Sequence, residues 1–401
     1  MSVKPINNLT FNILKPLVLP ISFFRWQYRR KSKYRIKKGE SVIVISNHQT
    51  DLDPLLIQLS FNKLLRTLST DNIFKKGRMG RFLLRMGGIP KRKGMMDMKS
   101  NLEMFRLVNE GKSLLFFPEG NRSYAEFQYY ITEGIGKLIK KLKSTLIIFN
   151  IHGGTGRYPR FASKPRKGKF YGEIKKAMPY EEYSDMSDEE LTKLIIDNLR
   201  VFDSESGELY KSKERAEYLE RMFFVCPKCG TPHKLVSDKN IIRCEHCGLE
   251  VTYNENLTLS SDDPDFKFTR LVEWYNYQKK WVRDYKVKKG EGIFKDSDIT
   301  LRTCNPYERS ELLSEGNITL NDEKLIFDKI IFDLKDITIA SPVSGRKFIF
   351  SIGDKQYEVR GDKRFNPLKY VFMFNKLDTK MKETGIDKYY NLEEEKYDLS
   401  K

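Results

Sequence analysis

The first half of the chain alternates short unbroken apolar runs with amphipathic stretches. The run Ser41-Val42-Ile43-Val44-Ile45-Ser46 predicts a strand buried on both faces, and residues 54–65 predict a helix. Asp97 is placed to cap a helix carrying Leu102, Phe105 and Val108, which Gly111 would end. Residues 113–117 predict a second buried strand and residues 138–142 a helix. Residues 146–151 predict a third strand, running into the turn His152-Gly153-Gly154. Strands alternating with helices point to a layered α/β domain with a largely parallel sheet. Ligand chemistry in such sheets gathers outside the carboxyl ends of the strands.

The pattern then changes. Residues 185–222 read as polar, acidic-to-mixed helices leaving that domain, and two cysteine pairs follow. From about residue 265 short β-runs take over, at 317–320, 324–327, 337–340, 347–352 and 356–360, with a closing amphipathic helix around 367–377. Four regions result: an interfacial segment over 1–40, an α/β domain over 41–210, a cysteine module over 224–252 and a β-rich C-terminal module over 265–395. The strand order and closing helix of the last resemble a pleckstrin-homology or GRAM-like module, which implies contact with lipids or proteins.

Charge divides the chain the same way. Residues 1–180 hold 36 Lys and Arg against 11 Asp and Glu, whereas the remainder holds 37 against 43. The basic first half implies an anionic partner: nucleic acid, a phosphate-bearing ligand or an anionic membrane surface. The apolar stretch over 9–24 is too short to span a bilayer, which takes about 18 or more apolar residues. Arg25-Trp26-Gln27-Tyr28-Arg29-Arg30-Lys31 follows it at once, and an apolar run with an aromatic–cationic border suits a segment lying in the membrane interface. Lys15, Pro16 and Pro20 interrupt the early run, so it does not read as a secretory signal. The expected location is cytoplasmic, peripheral on the inner face of the membrane.

Candidate chemistry sits at the ends of the first two strands. Asn47-His48-Gln49-Thr50-Asp51-Leu52-Asp53 follows the first, and Phe117-Pro118-Glu119-Gly120-Asn121-Arg122-Ser123 follows the second. A histidine can take a proton from an alcohol and hand it on to a leaving thiolate. An aspartate a few residues later can fold back through a strand-to-helix turn and accept the other imidazole N–H, fixing the tautomer. On spacing alone Asp51 and Asp53 serve equally well, and the simpler reading of Asp51 is as a cap of the next helix. In the second block Pro118 stops the strand and Gly120 lets the backbone approach a ligand.

Taken together the two blocks resemble the glycerolipid acyltransferase family. That resemblance selects Asp53 over Asp51, since the family motif is H-x4-D, and makes His48 the base. It assigns Glu119 to the acceptor's glycerol hydroxyl or its positioning, and Arg122 and Ser123 to its phosphate. The family form of the second block is FPEGTRS, so Asn121 replaces a threonine. Gly87-Gly88-Ile89-Pro90-Lys91-Arg92-Lys93-Gly94 resembles a further block that ends in one phosphate-binding arginine. Here Lys93 aligns with that arginine and Arg92 precedes it. A fourth block, Ile147-Ile148-Phe149-Asn150-Ile151-His152-Gly153, lacks the family's proline, and His152 reads as a loop histidine. The basic run from Arg157 to Lys176 interleaves Tyr and Phe with cations and is a candidate grip for a nucleotide-bearing donor or for anionic headgroups.

Cys226-Pro227-Lys228-Cys229 and Cys244-Glu245-His246-Cys247 have zinc-ribbon spacing, each followed by a glycine. Four thiolates close a tetrahedral zinc site, so the expected cofactor is a structural zinc, with no catalytic cofactor. Recognition of a protein or nucleic acid and bracing of two domains both remain open for the ribbon. The resemblance implies an enzyme that moves a fatty acyl group from an acyl thioester to the free hydroxyl of a lysophospholipid. The donor would be acyl-CoA or an acyl carrier protein, and the expected reaction takes 1-acyl-glycerol-3-phosphate to phosphatidic acid. The alternative is a nucleic-acid-binding zinc-ribbon protein, which explains the charge but gives the two blocks no purpose.

Overall fold

The computed structural model describes residues 4–74, 77–91, 98–126, 128 and 131–378. The first unit runs α1 (Asn8–Phe24), β1 (Tyr28–Arg30), β2 (Val42–Ser46), α2 (Asp53–Gln58), β3 (Leu65–Thr70), α3 (Arg78–Arg85), β4 (Gly88–Lys91), α4 (Met98–Asn109) and β5 (Ser113–Phe116). It continues through α5 (Ile135–Leu142), β6 (Thr145–His152), α6 (Gly154–Arg157), β7 (Phe170–Met178) and α7 (Asp188–Leu199). Its seven strands form one sheet in the order β1-β7-β6-β2-β5-β3-β4. Every neighbouring pair is parallel except β6 with β7. The fold class is therefore the mixed α/β expected from the sequence.

Strand alternation sends successive side chains to opposite faces. Ile43 and Ile45 join Leu114, Leu146 and Ile148 on one face, packed against α5 and α7. Val42 and Val44 join Leu115, Ile147 and Phe149 on the other, packed against Leu56, Ile57 and Phe61. A central strand covered on both sides has no polar face to show, which is why β2, β5 and β6 read as continuous apolar runs.

Several expectations are corrected. The helix expected over 54–65 ends at Gln58, because Leu65 belongs to β3. Gln58 marks the change: its Nε2 donates to Leu65 O at 2.8 Å and its Oε1 accepts from Leu65 N at 3.1 Å. Tertiary pairing of β3 with β4 and β5 overrides the helical pattern. Past α7, the expected helix before residue 222 is one 3₁₀ turn, Leu219–Arg221. The cap expected at Asp97 lies outside the described residues.

Downstream, β8 (Leu235–Asp238), β9 (Ile241–Cys244), β10 (Glu250–Tyr253) and β11 (Leu259–Ser260) make an antiparallel sheet that carries the cysteines. Then come α8 (Leu271–Asp284), β12 (Phe294–Thr303), β13 (Leu312–Leu320), β14 (Lys324–Phe327), β15 (Ile330–Asp333), β16 (Ile339–Ser344), β17 (Lys347–Ile352), β18 (Lys355–Arg360) and α9 (Pro367–Leu377). The seven strands β12–β18 form an antiparallel sheet, a four-strand meander joined to a three-strand meander through the β12–β18 pair. One continuous core runs from the cysteine module through α8 into this sheet and α9. Trp274 of α8 stacks on Phe223 at 4.3 Å and donates its indole N–H to Val225 O.

Candidate active site

β2 ends at Ser46, and the chain turns through Asn47 to Leu52 before α2 begins at Asp53. Asn47 pins this turn to β6: its Nδ2 donates to Ile151 O at 2.9 Å and its Oδ1 accepts from Ile151 N at 2.8 Å. Asp53 is fully buried. Its Oδ2 accepts from Gln49 N at 2.7 Å and Thr50 N at 2.9 Å, and its Oδ1 takes the Thr50 hydroxyl at 2.5 Å. The same Oδ2 lies 2.9 Å from His48 Nδ1. The two sequence-predicted residues are thus brought together. Phe117 also stacks on one face of the imidazole, at 4.0 Å between ring centroids. With Nδ1 engaged, Nε2 is the nitrogen left for proton transfer.

The second block is stitched to the first through its backbone. Ser123 N donates to His48 O at 3.0 Å, and His48 N donates to Glu119 Oε1 at 3.3 Å. Glu119 is buried, and Gly120 turns with φ +64°, a conformation that favours glycine. Ser123 Oγ is buried with no hydrogen-bond partner among the described residues. Arg122 Nη1 sits 2.9 Å from Asp51 Oδ2, and Nη2 donates to Val343 O at 3.2 Å. Asp51 is therefore not the helix cap expected of it. The cap position is Leu52, without a side-chain bond, and Asp51 reaches from solvent (81% exposed) to a guanidinium that is 13% exposed. A cleft beside His48 is lined by Asn47, Gln49, Glu119, Ser123, Glu126 and Gln128 together with residues 199–202.

Arg92 and Lys93 lie outside the described residues. The basic run from Arg157 onward divides by residue type. Its arginines 157, 160 and 166 are buried struts, while Lys164, Lys167 and Lys169 face solvent. Arg157 donates to Trp26 O and Gln27 Oε1, Arg160 to Asn121 Oδ1 and Arg122 O, and Arg166 to Arg215 O. The run's arginines brace the fold, and its residues 170–176 lie in β7. His152, expected in a loop, ends β6 and stacks on Tyr171 at 4.6 Å.

The sequence reading missed a buried acid pair beside the cleft. Thr155 Oγ1 lies 2.5 Å from Asp203 Oδ2 and 3.2 Å from Glu126 Oε1. One hydroxyl proton serves only one of these contacts. The other is satisfied when a carboxyl carries a proton and donates to the hydroxyl oxygen. Burial, with Asp203 adding to it, pushes the Glu126 carboxyl up to about 8. No local pattern links residues 126 and 203; Glu126 has only the unusual φ of +59° to mark it, which a sequence does not show.

The four cysteines converge as predicted, with all four sulfurs within 4.8 Å of one another. Cys226 and Cys247 sulfurs lie 3.6 Å apart, and Cys229 and Cys244 sulfurs 3.8 Å apart. A tetrahedron of zinc–thiolate bonds near 2.3 Å has edges of about 3.8 Å, so the residues present fit the metal. Neither nearby histidine competes. His246 Nδ1 is 3.4 Å from Thr231 Oγ1, and His233 Nδ1 is 3.1 Å from the Lys369 ammonium.

Comparison with known proteins follows this division of the chain. The acyltransferase family model matches residues 28–151. A zinc-ribbon model described as the 7 kDa subunit of DNA directed RNA polymerase matches residues 219–256. Among solved structures, the 1-acyl-sn-glycerophosphate acyltransferase PlsC of Thermotoga maritima matches at 15% identity and a TM-score of 0.38, over 48% of this chain and 93% of that one. No curated protein matches. Residues 28–151 thus match the acyltransferase family, and a zinc ribbon is appended to that region.

Proposed function

We propose that this protein esterifies a lysophospholipid, taking a fatty acyl group from an acyl thioester to the free hydroxyl of 1-acyl-glycerol-3-phosphate. The observation that carries the reading is the His48–Asp53 contact of 2.9 Å at the carboxyl end of a central strand. Asp53 holds the Nδ1 proton, which leaves Nε2 to accept the proton of the acceptor hydroxyl. The oxygen then attacks the thioester carbonyl. As the carbon–sulfur bond breaks, the imidazolium returns its proton to the leaving thiolate, so charge and protons balance without an acyl-enzyme. Glu119, Gly120, Arg122 and Ser123 are assigned to the acceptor, and so are Arg92 and Lys93; arginine suits phosphate because its planar fork donates two bonds at once. Zinc, where bound to Cys226, Cys229, Cys244 and Cys247, holds the ribbon's fold and takes no part in the chemistry.

The membrane reading draws support from α1 and α3. Among the described residues no helix is long and apolar enough to cross a membrane. Leu9, Ile13, Leu17 and Phe24 of α1 are exposed, as are Met79 and Phe82 of α3, where Arg78, Arg81 and Arg85 flank them. Ile6 N donates to Arg85 O at 2.9 Å, tying the start of the chain to the end of α3. An apolar face with a cationic border suits an anionic lipid surface. The meander order of β12–β18 and the closing α9 support the pleckstrin-homology-like reading of the C-terminal module.

The test is a panel of lysophospholipid acceptors with one labelled acyl-CoA, the products identified by mass spectrometry. Transfer to lysophosphatidate by the native protein and none by His48→Ala is expected. A fully active His48→Ala protein refutes the reading. Liposome flotation beside a nucleic-acid gel shift, both across a salt series, separates it from the nucleic-acid alternative.

A further inference from the structure

Block by block, the C-terminal module meets the α/β unit at the segments assigned to the acceptor. Three consecutive carbonyls at the end of β16, where it enters the turn to β17, accept from three side chains around the Pro118-Glu119-Gly120 block. Arg160 Nη2 donates to Pro342 O at 2.8 Å, Arg122 Nη2 to Val343 O at 3.2 Å and the Tyr124 hydroxyl to Ser344 O at 3.3 Å. Arg160 carries the contact inward, donating to Arg122 O at 2.7 Å and lying 3.9 Å over the Tyr124 ring. Next in the turn comes Gly345, where an added Cβ would stand 2.7 Å from Arg160 O. The module touches a second place as well. Gln356 Nε2 donates to both oxygens of Asp71 at 3.1 Å, and Tyr307 N donates to Phe74 O at 3.1 Å. Phe74 in turn packs where a Cβ on Gly88, in the block leading to Arg92, would stand 2.9 Å from its ring.

We infer that the end of β16 and the β16–β17 turn of the C-terminal module complete the acceptor site, the carbonyls at 342, 343 and 344 holding Arg122, Tyr124 and Arg160 in the geometry that receives the acceptor's phosphate. The inference rests on the acyl transfer proposed above. A guanidinium on a long side chain has many rotamers, and fixing it beforehand removes ordering cost from binding. Here one edge of the fork is fixed by a carbonyl that lies 221 residues away in sequence. The other edge faces Asp51, which is exposed and displaceable by a phosphate. Pro342, Val343, Ser344 and Gly345 are positioning residues in this scheme; none touches a reacting atom.

The test uses the full chain. Gly345→Val forces a branched side chain against Arg160 O, and Tyr124→Phe removes one bond to the turn without adding bulk. Acyl transfer from acyl-CoA to lysophosphatidate is measured over both substrate concentrations. Equilibrium binding of lysophosphatidate is measured separately, by calorimetry without donor. The acceptor KM and Kd are expected to rise together, about tenfold in Gly345→Val and about threefold in Tyr124→Phe, with kcat and donor KM within about twofold of native. Ile331→Ser, on the exposed side of β15 in the same module, is expected to match the native protein throughout. Unchanged acceptor KM and Kd in both variants, or a fall in kcat alone, overturns the inference. If Gly345→Val does not fold, Tyr124→Phe decides by the same criterion. Weakened binding in a protein that turns nothing over upholds the site and sinks the reaction; no lysophosphatidate binding by the native chain sinks both.

Discussion

Nδ1 of His48 lies 2.9 Å from Oδ2 of Asp53, and that same oxygen takes the backbone N–H groups of Gln49 and Thr50. The carboxylate thus organises the turn and orients the ring at once. In Asp53→Ala the ring loses both the acceptor that fixes its tautomer and the charge that stabilises the imidazolium. Loss of about 10³–10⁴ in kcat is expected. His48→Ala should fall to the same floor, and the double variant no further, because groups acting as a unit are not additive. A double variant markedly slower than either single one would show that the two act separately.

The second prediction concerns Arg122. Asp51 is largely exposed, so its pairing with Arg122 contributes little to stability, roughly 0–1 kcal/mol. It does place a carboxylate where a phosphate oxygen would bind. Asp51→Asn is therefore expected to lower the acceptor KM by about threefold and to strengthen inhibition by inorganic phosphate, with melting unchanged. Arg122→Lys, which keeps charge but loses the fork, should raise the acceptor KM by about tenfold or more. Steady-state kinetics with added phosphate checks both; an acceptor KM that rises in Asp51→Asn refutes the idea.

These site relationships were legible to different degrees. His48 and Asp53 share one turn, so spacing put an aspartate in reach of the ring, while the choice of Asp53 over Asp51 came from the resemblance; the block after β5 follows the neighbouring strand. β2, β5 and β6 were readable because burial on both faces leaves no polar positions. β3 (LRTLST) and β4 (GIPK) carry polar, glycine and proline residues toward the sheet's edge and make no such signal. α8 was overlooked among β-runs although Leu271, Trp274, Tyr275, Gln278 and Val282 are buried at helical spacing; its aromatic content masked the period. In the basic run a charge count does not separate arginines that donate to buried carbonyls from solvated lysines. Glu126 and Asp203 meet only through the fold.

That pair supports the third prediction. Glu126 is pushed up to about 8 by burial, with Asp203 next in effect, while Arg166, Tyr210 and Tyr253 also face it. An acid raised in the native state binds its proton more tightly folded than unfolded. Its contribution is complete below the ordinary glutamate range and is lost as pH rises from there through about 8. Each pH unit over which only the native state holds the proton changes stability by about 1.4 kcal/mol. Glu126→Gln keeps an oxygen for Ser204 N and removes the titration. Its melting temperature should gain on the native protein steadily between pH 5 and pH 8 (roughly the window between the two states' values). Parallel melting curves across that range would contradict a protonated Glu126.

The last prediction concerns the ribbon. Four sulfurs within 4.8 Å of one another, two pairs of them 3.6 and 3.8 Å apart, fit one tetrahedral zinc, and elemental analysis should find one per chain. Apo-ribbons forfeit folding energy, because the ligands are brought together only in the folded state. Here the loss would spread. Cys226 and Cys244 belong to the core that includes Trp274 and α9. His233, held neutral by burial and by the neighbouring Lys369, receives that ammonium's hydrogen bond, and Lys369 also reaches Asp296 of β12 at 2.7 Å. Chelation, or Cys244→Ser, is therefore expected to lower the melting temperature of the C-terminal module and not merely of the ribbon. His246→Ala should retain the metal. Since the β16–β17 turn belongs to the same module, metal loss should raise the acceptor KM before it affects the chemical step. Chelated protein with native acceptor KM and native melting would mean that the cysteines hold nothing the fold depends on.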